Sequence, residues 1–166
     1  MERPNTQQTF MVMAFALAKR GTCPRRQVGC ILVDKNNHIL STGYNGAPRG
    51  APHCSEQPCP AHLMPSGEGL HMCEAIHAEQ NALLQCKNVN EIVAAYTTTF
   101  PCMHCFKMLA NTSCEDIFYY EDYLGHEKAV REFNEKLSRP LGIYKIANGL
   151  VHEASVLEPT NSFIPF

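Results

Sequence analysis

Two short segments carry residues that must meet in space, and they constrain the fold more than any other feature of the chain. The first contains His77 and Glu79, and the second, residues 101–105, contains Cys102 and Cys105. One histidine and two cysteines are typical zinc ligands, and a catalytic zinc keeps three protein ligands and one open position for water. A carboxylate two residues beyond the ligand histidine can take a proton from that water and pass it on. The sequence therefore predicts a catalytic zinc site with Glu79 as its proton carrier.

The order of the two segments strengthens this prediction. A lone Cys-x-x-Cys is equally typical of a redox pair or half of a structural zinc site. Here His-x-Glu precedes Pro-Cys-x-x-Cys, which is the signature of the zinc deaminases. The alternative is a structural zinc with Glu79 as an ordinary helix-surface acid. Structural zinc sites are normally closed by four ligands, and no fourth ligand is obvious, so the catalytic interpretation is favoured.

Local patterns place both ligand groups at the beginnings of helices. Apolar residues at helical spacing predict a helix over 75–87, and Pro101 suits the first turn of a second helix that continues to Ala110. The free N–H groups of a first helical turn and the helix dipole favour thiolates and a zinc-bound hydroxide. The predicted site therefore lies where two helices begin.

The remaining pattern alternates helices and strands and indicates one domain over 1–166. Helices are predicted over 6–20 and 125–137, and strands over 28–34, 38–42, 91–99, 117–120 and 142–146. The helix between the last two strands suits a parallel crossover. The tail, residues 147–166, shows no clear pattern, so we expect it either to pack on a neighbour or to be mobile.

Charge and hydrophobicity exclude some classes of function. The formal net charge of the 166 residues is −2, and no basic stripe is visible, which argues against a dedicated nucleic-acid binder. Residues 1–5 do not have the pattern of a secretory signal, and no apolar run approaches membrane-spanning length. We expect a soluble, cytoplasmic protein with no membrane partner.

A second group of potential zinc ligands surrounds a long irregular segment, residues 45–70. A loop of this length is usually functional, disordered or held by a cross-link. Four of five candidates would close a tetrahedral structural zinc site, and they are Cys23, Cys54, Cys59, His71 and Cys73. The preferred set is Cys23, Cys54, His71 and Cys73, and the alternative is a group of free buried thiols.

Several segments together resemble the deoxycytidylate (dCMP) deaminases of the cytidine-deaminase-like superfamily. The resemblance covers residues 6–146, and it is carried by Thr22-Cys23-Pro24-Arg25, Gly43-Tyr44-Asn45-Gly46, residues 76–82, Phe100-Pro101-Cys102-x-x-Cys105 and Glu121-Asp122-Tyr123-x-x-His126. It implies a three-layer α/β/α fold with a five-stranded mixed sheet in the order 2-1-3-4-5. It also implies hydrolytic deamination of dCMP to dUMP, which supplies dUMP for thymidylate synthesis.

The resemblance further implies where the substrate binds. It places Arg25 and Tyr123 near the 5′-phosphate, with the adjacent Arg26 as the alternative to Arg25, and Asn45 near the deoxyribose. A solvated arginine in a turn is the other interpretation of Arg25. The remaining substrate contacts implied by the resemblance are Ala78, Thr99 and Phe100.

Regulation and assembly are also implied by the resemblance. The family pattern implies a homohexamer that is activated by dCTP with Mg²⁺ and inhibited by dTTP. The effector loop would contain Tyr44, Asn45, Gly46 and Arg49, since glycine lets backbone N–H groups approach a triphosphate closely. A plain loop at the exit of the hairpin is the alternative.

Two other functions use the same zinc residues. An RNA or tRNA base deaminase of the same superfamily would need a basic surface to hold phosphates, and the net charge of −2 weighs against it. A non-catalytic zinc-binding interaction module would not need Glu79, so the presence of Glu79 weighs against that function. Ammonia release from dCMP and from tRNA distinguishes the three possibilities.

Overall fold

The core of the protein is one mixed β-sheet, seen in a computed structural model that describes residues 3–65, 68–123, 125–147 and 150–153. The strands are β1 Gly29–Val33, β2 Ile39–Tyr44, β3 Ala94–Thr99, β4 Asp116–Glu121, β5 Gly142–Ala147 and β6 Leu150–Glu153, and their order is β2-β1-β3-β4-β5-β6. The expected order 2-1-3-4-5 is confirmed. The sixth strand pairs antiparallel with β5 and lies within the tail for which no pattern was visible. Residues 154–166 of that tail lie outside the described residues.

Four α-helices accompany the sheet in the described part of the chain, and each is shorter than the sequence predicts. They are α1 Thr6–Ala18, α2 Ala78–Gln85, α3 Met103–Ala110 and α4 Glu127–Asn134. The prediction that α2 begins at 75 is wrong because Ile76 exchanges two backbone hydrogen bonds with Gly46, which keeps this part of the chain extended. Pro101 is likewise not in the first turn of α3, since the N-cap of that helix is Cys102.

The helices form outer layers on the two faces of the sheet. In β1, Ile31 and Val33 belong to the same apolar cluster as the buried residues of α1. Cys30 and Leu32 point to the opposite face, where they share a cluster with buried residues of α2, α3 and α4. All five residues of β1 are therefore buried, which explains why this strand has a continuous apolar sequence. The expected three-layer α/β/α architecture is confirmed.

Two glycines allow helices to approach the sheet closely. A Cβ atom at Gly29 in β1 would lie 2.0 Å from the carbonyl oxygen of Ala14 in α1. A Cβ atom at Gly43 in β2 would lie 2.2 Å from the carbonyl oxygen of Ala78 and 2.4 Å from the backbone nitrogen of Ala82, both in α2. Any side chain at these positions would push the helix away. Gly43 therefore determines how closely the helix that follows His77 lies on the sheet.

The connections bring the two ligand segments to the same edge of the sheet. The pairs β3–β4 and β4–β5 are parallel, with α3 and α4 as the crossovers, as predicted for the last pair. β3 ends at Thr99, and the chain turns directly into the segment before α3. Ligands of such sheets bind beyond the carboxyl ends of the parallel strands. Among the described helices, no candidate long and apolar enough to cross a membrane occurs.

Candidate active site

The three predicted zinc ligands meet where α2 and α3 begin. His77 is the N-cap residue of α2, Cys102 is the N-cap residue of α3, and Cys105 lies in the first turn of α3. Their ligand atoms all lie within 4.8 Å of one another. In the described part of the chain, no other group of three histidine, cysteine or acidic side chains meets this distance.

The geometry of this group fits a tetrahedral zinc ion. The Nδ1 atom of His77 lies 3.5 Å from the Sγ of Cys102 and 3.4 Å from the Sγ of Cys105. Bond lengths of about 2.3 Å to sulfur and about 2.0 Å to nitrogen, at tetrahedral angles, separate the two ligand atoms by about 3.5 Å. The donor set of two thiols and one imidazole also matches zinc chemistry. The two nitrogen–sulfur distances therefore match those that a zinc ion bound by His77, Cys102 and Cys105 would require.

Electrostatic coupling among these residues already favours a thiolate. The hydrogen bond from Cys105 is the largest cause that lowers the pKa of Cys102, to about 3, and the contact with His77 lowers it further. The same hydrogen bond raises the pKa of Cys105, and burial raises it further. The contact with Cys102 raises the pKa of His77. These shifts favour the thiolate form of Cys102, which is the form that binds a zinc ion.

Glu79 lies in the first turn of α2, beside these ligands. Its side chain is 4% exposed, and burial raises its pKa to about 6 because the charged form loses its hydration. The charge of His77 and a hydrogen bond with Cys105 lower the pKa of Glu79, whereas the charge of Cys102 raises it, so the carboxyl group lies next to the ligand atoms. A buried carboxyl with such a pKa can both accept and donate a proton near neutral pH.

A cavity with an empty volume of about 640 Å³, which includes open solvent, leads to the zinc ligands. All six predicted substrate residues line it together with His77, Glu79 and Cys102, and they are Arg25, Asn45, Ala78, Thr99, Phe100 and Tyr123. Arg26 was predicted only as the alternative to Arg25 near the 5′-phosphate, but it lines the cavity as well. Val28, Ala75, Cys23 and Cys73 also line the cavity, and no motif pointed to Val28 or Ala75.

The Asn45 side chain forms hydrogen bonds with the backbone of residues 26–28. Its Nδ2 donates to the carbonyl oxygen of Arg26 at 2.8 Å, and its Oδ1 accepts from the backbone N–H of Val28 at 2.8 Å. The side chain is 8% exposed. Asn45 therefore fixes the turn that carries both arginines into the cavity wall, in addition to lining the cavity itself.

Of the five residues predicted to bind a second zinc ion, the structure brings the four cysteines near one another but not His71. Cys54 and Cys59 are buried although they lie in an irregular segment. Burial is the largest cause that raises the pKa of Cys54, and contacts with Cys59, Cys23 and Cys73 raise it further. The pKa of Cys73 is also raised, again first by burial, with contributions from Cys59 and Cys23. Cys54 and Cys73 thus each interact with Cys59 and Cys23, but no three of these thiols, all of them among the residues that the structure describes, have sulfur atoms that all lie within 4.8 Å of one another.

The fifth candidate of this group lies apart from the thiols. His71 is exposed on the single turn Leu70–Met72, and it is not among the groups that perturb Cys54 or Cys73. The sequence could not distinguish His71 from Cys59, since both lie near the same irregular segment.

The residues predicted to bind effectors follow β2. The Tyr44 ring lies under the guanidinium of Arg20, with 5.9 Å between the guanidinium carbon and the ring centroid. Gly46 pairs with Ile76 through two backbone hydrogen bonds, and Arg49 is exposed. Gly46 therefore connects this loop to the residue that precedes the ligand His77.

Comparison with known proteins identifies relatives of this chain. Residues 4–121 match the family described as the cytidine and deoxycytidylate deaminase zinc-binding region. A deoxycytidylate deaminase of Schizosaccharomyces pombe is 39% identical over 125 residues, which cover 73% of this chain but only 38% of that protein. A deoxycytidylate deaminase of Mycobacterium phage D29 is 39% identical over 127 residues, which cover 72% of this chain and 97% of that protein.

A solved structure shows the same fold. The dCMP deaminase of cyanophage S-TIM5, crystallised with dCMP and dUMP, superposes with a TM-score of 0.65 at 24% sequence identity. The superposition covers 88% of this chain and all of that chain. Similarity at this level of identity establishes the architecture, and the site residues have to be assigned from the geometry of this chain.

Proposed function

This chain belongs to the cytidine and deoxycytidylate deaminase family, and on that basis we propose that it hydrolyses dCMP to dUMP and ammonia. The observation that carries the proposal is the buried carboxyl of Glu79 beside the His77, Cys102 and Cys105 ligand group, at the end of a cavity that also has arginines in its wall. The dUMP product would supply thymidylate synthesis.

Glu79 can serve the reaction by carrying two protons in succession. A zinc ion bound by the three ligands would lower the pKa of its water to near 7. With the ion bound, Glu79 would accept a proton from the attacking water and donate it to N3 of the cytosine ring as the C4–O bond forms. Glu79 would then carry the second proton of that water to the amino nitrogen, so that the C4–N bond breaks and ammonia leaves. Burial of Glu79 keeps bulk water away from these transfers.

Ammonia release tests the proposal directly. Purified protein should release ammonia from dCMP and not from tRNA or a single-stranded DNA. Glu79→Gln should keep the fold and the zinc, and it should lose about 10²–10⁴-fold of turnover because general acid–base groups contribute that much. Release from tRNA but not from dCMP would favour the base-deaminase alternative. No release from any substrate, with zinc bound, would favour a non-catalytic role.

We also propose that the four thiols of Cys23, Cys54, Cys59 and Cys73 hold a second, structural zinc ion. Two of these residues, Cys23 and Cys73, also line the substrate cavity, so a metal there would attach the irregular segment to the cavity wall. The set replaces the expected His71 with Cys59, since Cys59 interacts with two of the other thiols. Metal analysis should find two zinc ions per chain, and one per chain in Cys54→Ser. One zinc ion per chain in the unmodified protein would contradict this proposal.

We propose that the enzyme is a homohexamer regulated at the loop that contains Tyr44, Asn45, Gly46 and Arg49. Support comes from the contacts of this loop, since Asn45 fixes the arginine turn and Gly46 pairs with the residue before His77. A triphosphate that binds the loop, with Mg²⁺, could therefore shift the equilibrium between two arrangements of the cavity. We expect sigmoidal kinetics for dCMP that dCTP makes hyperbolic and dTTP suppresses.

Rate curves with and without each effector test the regulation separately from catalysis. Size-exclusion chromatography with light scattering should give the mass of six chains. Hyperbolic curves that neither nucleotide changes, measured on an intact hexamer, would contradict the regulatory proposal and leave the deaminase proposal unaffected.

A further inference from the structure

We propose that the two adjacent arginines at the cavity have different roles. Arg26 binds the 5′-phosphate of the substrate, and Arg25 is a positioning residue that holds the irregular segment in place. The inference rests on the proposed function, since it concerns how a nucleoside monophosphate is distinguished from a nucleoside at the same site. The sequence resemblance favoured Arg25 for the phosphate. The contacts of the two side chains favour the opposite assignment.

The guanidinium of Arg25 is already occupied by backbone carbonyl groups. Its Nη1 donates to Ala61 at 2.8 Å, its Nη2 donates to Pro65 at 2.5 Å, and both atoms lie 3.3 Å from the carbonyl oxygen of Glu68. An arginine whose terminal N–H groups are engaged in this way has little capacity left for a phosphate. Arg25 therefore holds the irregular segment against the turn that forms the cavity wall.

The guanidinium of Arg26, unlike that of Arg25, has a donor without a partner in the described structure. Its Nη1 atom is buried and has no hydrogen-bond partner among the described residues. Its guanidinium carbon lies 5.2 Å from the centroid of the Tyr123 ring, and the backbone carbonyl of Arg26 is held by Asn45. A buried donor on a charged group is costly to leave unpaired. A phosphate oxygen bound in the cavity would supply the missing acceptor.

The position of Tyr123 relates this donor to the reacting end of the cavity. The ring contacts the Arg26 guanidinium, and its centroid lies 4.2 Å from that of the His126 ring. Tyr123 also lines the cavity together with His77 and Cys102. Tyr123 therefore contacts Arg26 in the same cavity that contains two of the zinc ligands. A nucleotide with its base at the ligands can extend its phosphate along Tyr123 towards Arg26.

Binding measurements with dUMP and with deoxyuridine, which lacks the phosphate, test the roles of the two arginines without relying on turnover. Affinities for dUMP and deoxyuridine are measured by calorimetry on the full chain loaded with zinc. Arg26→Gln keeps much of the side chain volume and removes the charge, so it should weaken dUMP binding about 10–100-fold, as expected for a charge-assisted hydrogen bond. The affinity for deoxyuridine should change much less. Arg26→Lys should recover only part of the loss, because a lysine lacks the planar fork of donors.

Arg25→Gln is the matched control, since it alters the neighbouring arginine in the same way. It should lower the melting temperature and change the affinities for dUMP and deoxyuridine by similar factors. Selective loss of dUMP binding in Arg25→Gln, with Arg26→Gln unaffected, would overturn the assignment. Equal affinities for dUMP and deoxyuridine in the unmodified protein would also overturn it. Tight, Arg26-dependent binding of dUMP without any deamination of dCMP would contradict only the proposed function.

Discussion

Replacement of Gly43 by alanine should damage the active site through the position of helix α2. The new Cβ would lie 2.2 Å from the carbonyl oxygen of Ala78 and 2.4 Å from the backbone nitrogen of Ala82. Such contacts are normally longer than about 3 Å, so α2 must move away from β2 by roughly 1 Å. Overpacking of this kind costs about 1–3 kcal/mol. In a chain of this size it should lower the melting temperature by about 2–12 °C.

A displacement of α2 should affect catalysis because two functional residues lie at the beginning of this helix. His77 is the N-cap residue and Glu79 lies in the first turn. A shift of about 1 Å in such groups can cost about 10²-fold in rate. We expect Gly43→Ala to remain folded, to bind the catalytic zinc more weakly and to lose about 10–100-fold of kcat/KM for dCMP. Ammonia release, zinc titration with a colorimetric chelator and thermal melting measure the three effects.

Gly29→Ala is the matched control, since it introduces the same methyl group into the neighbouring strand. Its Cβ would lie 2.0 Å from the carbonyl oxygen of Ala14, but the helix that it displaces, α1, carries none of the zinc ligands. It should lose a similar amount of stability and retain more of its zinc affinity and activity. Equal losses of zinc affinity in the two variants would show that general destabilisation, and not the position of α2, explains the result for Gly43→Ala.

Three further predictions concern the metal, a helix terminus and pH. Removal of the catalytic zinc with a chelator should abolish deamination and lower the melting temperature, because the metal binds only the folded site, and added Zn²⁺ should restore both. Arg139→Ala should destabilise the protein by about 1–2 kcal/mol in urea unfolding, because Arg139 donates to the carbonyl oxygens of Thr112 and Cys114 at 2.8 and 3.0 Å beyond α3. The pKa of Asp34 is lowered, chiefly by the backbone N–H of His38, so its contribution is present above about pH 4 and is lost as the pH falls through the folded-state pKa. The urea midpoint of the unmodified protein should therefore fall more steeply below pH 4 than that of Asp34→Asn, and parallel curves would contradict this.

Local chemistry explains why the catalytic centre could be predicted from the sequence. The ligand residues His77, Cys102 and Cys105 each need a specific side chain at a specific spacing, and the beginnings of helices place them with little help from distant residues. The strand β1 was visible because burial on both faces demands a continuous apolar run. The order of the strands came from the resemblance to a family, since residue periodicity does not determine which strands become neighbours.

The tertiary structure decided what depends on contacts between distant segments. Arg25 and Arg26 are adjacent and chemically identical, and only the carbonyl groups of Ala61, Pro65 and Glu68 show which of them is occupied. Likewise, only the folding of the irregular segment separates Cys59, which joins the other thiols, from the exposed His71. The helix α2 begins late because Ile76 pairs with Gly46, which lies far away in the sequence. Hydrogen bonds and burial of this kind follow from the path of the whole chain, and no local pattern encodes them.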